Sequence, residues 1–225
     1  SAEVYTPTGS ETANLEAGNK AYKLTKAAGV TVAKNVGVSF DIKSMLPSGS
    51  NFGNTKSISF GFDLLMETID YLPSEYTYFD LATSKTNGGN NAADQTRFVR
   101  WGVHQGWKQL NFFNALNNRI NGDNTQFDKN NTMANRWYRI VCDIDLVNDS
   151  VTTTIYDRDK DMEMLNKKPF VIAKADETTG ENPNYPTEIN LDNLYFNIYM
   201  DKNANTSNKM EYYLDNITVE YQDYE

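Results

Sequence analysis

The chain has 225 residues, a formal net charge of −9 at pH 7 and a hydrophobic fraction of 39%. This length fits one large all-β domain or two small domains, and the composition is that of a folded chain. A pI near 4.7 argues against a nucleic-acid partner, because phosphates require a basic surface. No apolar run approaches the ~20 residues of a membrane-spanning helix, and no signal peptide is expected in the polar first residues.

Five segments have the character of β-strands. In chain order they are "VGVSFDIKSM", "ISFGFDLLM", "SVTTTIYD", "LYFNIYM" and "YYLDNITVEY". Clusters of Asn, Asp, Gly and Ser, which are typical of turns, separate them. The sequence therefore predicts an all-β fold, a single antiparallel β-sandwich of jelly-roll type over residues 15–225. Residues 1–14 are polar and are predicted to be a linker or an artificial N-terminus.

The single cysteine, Cys142, excludes an internal disulfide and any cysteine-built metal cluster. In "WYRIVCDIDL" it shares a strand face with Tyr138, Ile140 and Ile144, which predicts a buried structural thiol. The chain also contains 28 Asn and 14 Tyr. Neutral hydrogen-bonding side chains together with aromatic rings suit uncharged polar ligands such as sugars, although Asn can equally fill loops and strand surfaces.

Within the segment "RFVRWGVHQGWKQLNFFN" (97–114), residues 97–113 are predicted to be a hairpin with a loop over residues 103–106. The paired residues in this register are Gly102 with Trp107, Arg100 with Gln109, and Phe98 with Asn111. One face of the hairpin is then apolar and contains Trp101, and the other is polar and contains Trp107. A register shifted by one residue mixes the two faces and is therefore disfavoured.

Three segments resemble strands of carbohydrate-binding modules of the jelly-roll or concanavalin-like type. They are "NRWYRIVCDIDLVNDSVTTTIYD" (135–157), "YYLDNITVEY" (212–221) and "LEAGNKAYKLTK" (15–26). The resemblance implies a secreted, carbohydrate-associated β-sandwich, without identifying a numbered family. In some relatives the aspartate of the last strand helps to hold a structural calcium ion, and Asp215 occupies the matching position. The resemblance leaves that calcium ion open, and no other cofactor is expected.

The polar face of the hairpin is the predicted carbohydrate site. Trp107 is the predicted stacking platform for a pyranose ring, because an exposed indole packs on the C–H face of a sugar. The residues predicted to complete the site by hydrogen bonding or stacking are Arg100, Gln109, Asn111, His104, Gln105, Tyr76 and Tyr78. Trp101 is kept among the candidates, although its apolar neighbours predict a core position. Tyr195, Tyr199, Trp137 and Arg139 also face away from the predicted core.

Catalytic motifs are weak in this sequence. The E-x-D-x-x-E pattern of glycosidases on this scaffold is missing. Asp143 and Asp145 share a strand face but flank a turn, where solvated acids are ordinary. Residues 157–168 begin like an EF-hand loop but lack its glycine and its final acid. The best enzyme alternative is a polysaccharide lyase that uses Arg97, Arg100, His104 and Arg119 with nearby tyrosines.

The predicted function is non-catalytic binding of a neutral polysaccharide, either a plant cell-wall glucan or starch. The chain would act as a module of a larger bacterial protein that is secreted or attached to the cell surface. The alternatives are a polysaccharide lyase or glycoside hydrolase on the same fold, and an adhesin domain that binds protein.

Overall fold

The computed structural model describes residues 2–5, 21–26, 36–50, 55–66, 76–85, 97–104, 109–113, 137–148, 150–157, 162–163, 170–171, 194–200 and 210–223. The strands in these ranges are β1 (Ala2–Tyr5), β2 (Ala21–Lys26), β3 (Val36–Asp41), β4 (Thr55–Met66), β5 (Tyr76–Ala82), β6 (Arg97–His104), β7 (Gln109–Phe113), β8 (Trp137–Asp145), β9 (Ser150–Asp157), β10 (Met162–Glu163), β11 (Phe170–Val171), β12 (Tyr195–Met200) and β13 (Met210–Asp223). A short 3-10 helix, Lys43–Met45, follows β3. Among the residues described, no helix has the length and apolar character needed to cross a membrane.

The strands form two sheets in which every pair is antiparallel. The large sheet has the order β1-β2-β13-β4-β8-β9-β10, and β11 pairs with β9. The small sheet has the order β3-β12-β5-β6-β7. The predicted all-β antiparallel sandwich is confirmed. Ala2–Tyr5, within the predicted N-terminal linker, instead form the edge strand β1 paired with β2, and the predicted domain boundary stays a prediction.

The core lies between the two sheets, because period-2 strands place alternate apolar side chains on one face. The rings of Phe60 and Phe62 in the large sheet each lie 4.9 Å from the ring of Phe196 in the small sheet. The two sheets are also joined by a hydrogen bond of 3.2 Å, which the Trp101 indole Nε1 donates to Thr153 Oγ1. Full burial of each such apolar side chain contributes about 1.5–3 kcal/mol relative to exposure.

The prediction of a buried structural thiol at Cys142 is confirmed. Its side chain is fully buried within the main core cluster. Burial raises the pKa of the Cys142 thiol well above its ordinary value, and a hydrogen bond with Thr153 opposes that rise. A thiol in this environment stays protonated and unreactive in the folded protein.

Candidate functional site

The outer face of the small sheet, which is turned away from the large sheet, collects polar and aromatic residues. Phe79 in β5 and Phe196 in β12 are buried in the core, so strand alternation places their neighbours on the outer face. The ladder aligns these neighbours in rows across the strands. One row contains Ser39, Asn197, Asp80 and Arg100, and the next contains Gly37, Tyr199, Tyr78, Gly102 and Asn111.

Two tyrosines in adjacent strands form the aromatic part of this face. The rings of Tyr78 and Tyr199 are stacked, with centroids 6.1 Å apart and an interplanar angle of 20°. Tyr199 is 1% exposed, whereas Tyr78 is half-buried. Cross-strand aromatic pairs of this kind contribute about 0.5–1.5 kcal/mol beyond the area they bury. The buried Tyr199 ring therefore fixes the half-buried Tyr78 ring in position on the outer face.

Asn197 ties three segments together at this face. Its side chain is fully buried; Oδ1 accepts a hydrogen bond of 2.7 Å from Ser39 Oγ. Its Nδ2 donates a hydrogen bond of 2.9 Å to the backbone carbonyl of Ser84. Because both ends of the amide are bound, its orientation is fixed. Asp80, the next residue in the row, is also fully buried.

A tyrosine and a lysine lie together at one end of the outer face. Tyr195 pairs with Asp41 on one side and with Ala82 on the other. The Lys85 ammonium lies 5.5 Å from the centroid of the Tyr195 ring. A cation over an aromatic face at this distance is attracted by the ring quadrupole. This contact places Lys85 beside the outer face rather than away from it.

The hairpin of β6 and β7 does not have the predicted register. Gly102 pairs with Asn111 instead of Trp107, a shift of four residues, and His104 pairs with Gln109 at the end of β6 instead of lying in the loop. Period-2 alternation specifies which face a residue occupies, but it does not distinguish registers that differ by an even number of residues. The predicted division into two faces is therefore retained although the pairing is wrong.

Six of the predicted site residues occupy positions on the outer face of the small sheet. Arg100 lies opposite Asp80, and His104 lies opposite Tyr76. The six residues are Arg100, Gln109, Asn111, His104, Tyr76 and Tyr78. They come from three adjacent strands, so the fold brings together residues that the sequence placed in two separate segments.

The remaining predicted site residues either lie outside the described residues or point into the core. Trp107 and Gln105 lie outside the described residues, in the connection between β6 and β7, and their roles stay predictions. Trp101 is fully buried in the core and donates its indole hydrogen bond to Thr153. Because its side chain points into the sandwich, we remove Trp101 from the candidate carbohydrate site.

Trp137 and Arg139 face away from the core as predicted, but they belong to the large sheet. Trp137 is 2% exposed and packs in a second apolar cluster with Leu65 and Tyr213. Arg139 Nη1 lies 3.5 Å from Asp63 Oδ1 in an ion pair. Neither residue shares a sheet with Tyr78, so neither contributes to the outer face of the small sheet.

The contacts around Asp215 bear on the predicted calcium ion. Asp215 lies opposite Asp63 in the ladder of β13 and β4. Asn216 donates its backbone N–H to Asp215 Oδ1 at 2.8 Å and its Nδ2 to Asp63 Oδ2 at 2.7 Å. A Ca²⁺ ion takes about six to eight oxygen ligands, whereas these carboxylate oxygens accept hydrogen bonds from Asn216. In the described ranges, no three His, Cys, Asp or Glu residues are grouped to hold a metal. The described contacts give the calcium ion no support, and it stays a prediction.

The paired acids of the large sheet have local structural contacts. Asp143 accepts a hydrogen bond of 2.7 Å from Ser59 Oγ. Asp145 accepts hydrogen bonds from Asn148 and from the Val147 amide in the turn before β9. The Asn148 side chain, followed by these backbone amides, holds the pKa of Asp145 below its ordinary value. For the lyase alternative, Arg97 pairs with Ala82 in the small sheet, and Arg119 lies outside the described residues.

Sequence reasoning missed Asn197 and Ser39 as members of the site. Both residues alternate with apolar residues in "LYFNIYM" and "VGVSFDIKSM", so their face could be predicted. Their hydrogen bond joins residues 158 positions apart, and no local pattern indicates that β12 pairs between β3 and β5.

No protein-family model matches the chain, and no curated protein matches its sequence. Among solved structures, it is similar to a GH131 β-glucanase catalytic domain from Podospora anserina, with 10% identity, a TM-score of 0.51, and coverage of 91% of this chain and 73% of that one. It is also similar to the cellulose-induced protein Cip1, with 8% identity, a TM-score of 0.51, and coverage of 98% and 85%. Identities this low show a shared fold alone.

Proposed function

We propose that the chain is a non-catalytic carbohydrate-binding module that binds a neutral polysaccharide across the outer face of the small sheet. The observation that carries this proposal is the half-buried ring of Tyr78, which the buried Tyr199 ring stacks against and holds in place on this face. An aromatic surface packs against the C–H face of a pyranose, and convergent polar groups orient its hydroxyls. A fixed aromatic ring on one sheet face suits a sugar better than a small charged ligand.

The charges on this face favour a neutral ligand. Asp80 and Arg100 lie opposite each other in the ladder, so their formal charges cancel. Lys85 is the exposed cation beside Tyr195, and Asp41 lies opposite that tyrosine. Recognition of a polyuronate needs an excess of positive charge, and the chain as a whole carries −9.

The proposed ligand class is a glucan, either from plant cell walls or as starch. One protein of similar fold is a β-glucanase catalytic domain, which supports glucan as the first class to test. The proposed setting is a secreted or surface-attached bacterial protein of several domains, because a non-catalytic sandwich with a binding face would act by attaching a partner domain to the polysaccharide.

A glycoside hydrolase is the second candidate, because Asp80 is a fully buried carboxylate at the centre of the face. Glycosidases use two carboxyl groups about 5–9.5 Å apart. Asp41 lies two strands and one row away from Asp80 in the ladder. Strand spacing and rise place their backbones about 12 Å apart. Binding stays the first candidate because the sequence lacks the E-x-D-x-x-E pattern of glycosidases on this scaffold.

Affinity electrophoresis in gels that contain soluble glucans or starch tests the proposal. The wild-type protein should be retarded by at least one polysaccharide, and Trp107→Ala should weaken the retardation. Unchanged retardation of Trp107→Ala would remove Trp107 from the site. A lack of retardation on every glycan would contradict the function and favour a protein-binding domain. Release of oligosaccharides from the same polysaccharides would establish the hydrolase or lyase alternative instead.

A further inference from the structure

A cavity lies in the loop that connects β3 of the small sheet with β4 of the large sheet. Its volume is about 290 Å³, and it is lined by Lys43, Ser44 and residues 46–50. Each of these residues is exposed or half-buried, and none of them belongs to a strand. A cavity of this size is at the lower end of the range for small-molecule sites. It therefore suits one small ring rather than a chain.

The loop around the cavity is held in shape by its own hydrogen bonds and by the core. The Leu46 amide donates to the Lys43 carbonyl at 3.2 Å, and the Ser50 amide donates to the Pro47 carbonyl at 3.1 Å. Within the second of these turns, Gly49 has a φ of 91°, a left-handed conformation that favours glycine. Leu46 also packs against the main core cluster. A ligand that enters a preformed loop has less conformational entropy to overcome.

Two serine hydroxyls among the lining residues are fixed as acceptors. Ser44 Oγ donates a hydrogen bond of 2.7 Å to the Asp41 carbonyl, and Ser50 Oγ donates one of 2.8 Å to the Pro47 carbonyl. A hydroxyl has one proton to donate but two lone pairs, so each oxygen keeps the capacity to accept from a ligand. The ammonium of Lys43 supplies N–H donors. A sugar hydroxyl both donates and accepts, and this lining offers both kinds of partner.

The rest of the lining favours a neutral ligand with an apolar face. Leu46 and Pro47 contribute aliphatic groups, and Lys43 is the one charged residue among those that line the cavity. The carboxylate of Asp41 lies beside the loop, where it accepts a hydrogen bond of 3.3 Å from the Ser44 amide. One exposed ammonium near a carboxylate, on a chain that carries −9, gives little net attraction for an anion.

We infer that the loop cavity formed by residues 43–50 is a second carbohydrate site, which takes one neutral hexopyranose ring. The C–H face of the ring packs against Leu46 and Pro47, and its hydroxyls bond to the two serine oxygens and to the Lys43 ammonium. This inference goes beyond the proposed function, because it uses no residue from the outer face of the small sheet. An open site that holds a ring of about a dozen non-hydrogen atoms binds it in the millimolar range.

Titration of the isotope-labelled protein with D-glucose, D-galactose or D-mannose, followed by NMR of the backbone amides, tests this site. Inorganic phosphate serves as the anionic probe. Lys43→Ala removes the donor, and Ser48→Phe places a bulky ring on the cavity wall. Met45→Ala is the matched control, because Met45 is 41% exposed in the same loop but does not line the cavity. Circular dichroism melting of each variant measures its fold and stability.

The expected result is saturating shifts in the amides of residues 43–50 with at least one hexose. Lys43→Ala and Ser48→Phe should each weaken this binding at least fivefold, and Met45→Ala should change it less than twofold. No hexose-dependent shifts in residues 43–50, or saturation with phosphate alone, would overturn the inference.

Equal losses in Met45→Ala and Lys43→Ala would also overturn it. If Ser48→Phe does not fold, Lys43→Ala decides, and unchanged binding by that variant rejects the site. These outcomes leave the proposed function standing, because that function is rejected separately, by failure of the wild type on every polysaccharide in affinity electrophoresis.

Discussion

Replacing Gly61 with alanine should destabilise the protein through Arg139, whose guanidinium lies over this glycine on the outer face of the large sheet. An ideal Cβ at position 61 would lie 2.9 Å from Arg139 Cζ and closer still to Nη2. The guanidinium would have to move away from Asp63, which is 1% exposed. It would also lose its hydrogen bonds to the Asn216 carbonyl and to Thr218.

The magnitude follows from these contacts. Removing one partner of a buried ion pair costs about 3–5 kcal/mol. The Arg139 side chain is 24% exposed and can rearrange in part, so we expect Gly61→Ala to cost about 2–4 kcal/mol. For a chain of this size, that loss corresponds to a Tm lower by roughly 4–16 °C. Urea unfolding followed by tryptophan fluorescence measures the free energy of unfolding directly.

A double-mutant cycle with Arg139→Ala tests the mechanism. Without the guanidinium, the remaining tight contact of the new methyl group is the Thr218 hydroxyl at 2.9 Å, which can rotate. Alanine also reduces the entropy of the unfolded chain relative to glycine. Gly61→Ala should therefore cost less than about 1 kcal/mol in the Arg139→Ala background. An equal cost in both backgrounds, or a cost under about 0.5 kcal/mol in the wild type, would refute this reasoning.

Three further predictions concern individual hydrogen bonds. Thr153→Val leaves the buried Trp101 indole without its acceptor and should lower the free energy of unfolding, measured in urea, by about 1–3 kcal/mol. A change within about 0.5 kcal/mol would show that the intersheet hydrogen bond is energetically minor. Asn197→Asp places a carboxylate oxygen against the Ser84 carbonyl, where the Asn197 amide now donates a hydrogen bond of 2.9 Å. The substitution should lower the free energy of unfolding by about 2–4 kcal/mol at pH 7. Recovery of stability at acidic pH, where the new carboxyl can donate, would confirm the cause. The hydrogen bonds that lower the pKa of Asp145 stabilise the folded protein above the unfolded pKa near 3.8, and this stabilisation is lost as the pH falls through the folded pKa. Asp145→Ala should therefore flatten the acid side of the plot of melting temperature against pH. An unchanged acid side would contradict the assignment.

The sequence predicts strands and faces better than strand partners. Alternation in "LYFNIYM" and "ISFGFDLLM" assigns the core and outer positions because each misplaced apolar side chain forfeits its burial energy. The hairpin shows where this reasoning ends. Gly102 paired with Trp107 and Gly102 paired with Asn111 give the same two faces, and the burial pattern does not distinguish them. The real loop is also as long as the predicted one, so loop length did not help.

Partners from distant parts of the chain could not be predicted. The row that joins Tyr199, Tyr78 and Gly102 draws on β12, β5 and β6, and their order in the sheet follows from packing of the whole sandwich. Trp137 shows the same limit: the sequence predicts that it faces away from the core, but not that it is buried there. Its burial with Leu65 and Tyr213 depends on a sheet neighbour far away in sequence.

The most direct test of the central claim compares one half-buried tyrosine on each outer face. Tyr78 lies on the outer face of the small sheet, and Tyr156 lies opposite Arg139 on the outer face of the large sheet. Affinity electrophoresis on the glycan that retards the wild type should show at least a tenfold loss for Tyr78→Ala and an unchanged affinity for Tyr156→Ala. Full binding by Tyr78→Ala, or a loss confined to Tyr156→Ala, would contradict the assignment of carbohydrate binding to the small sheet.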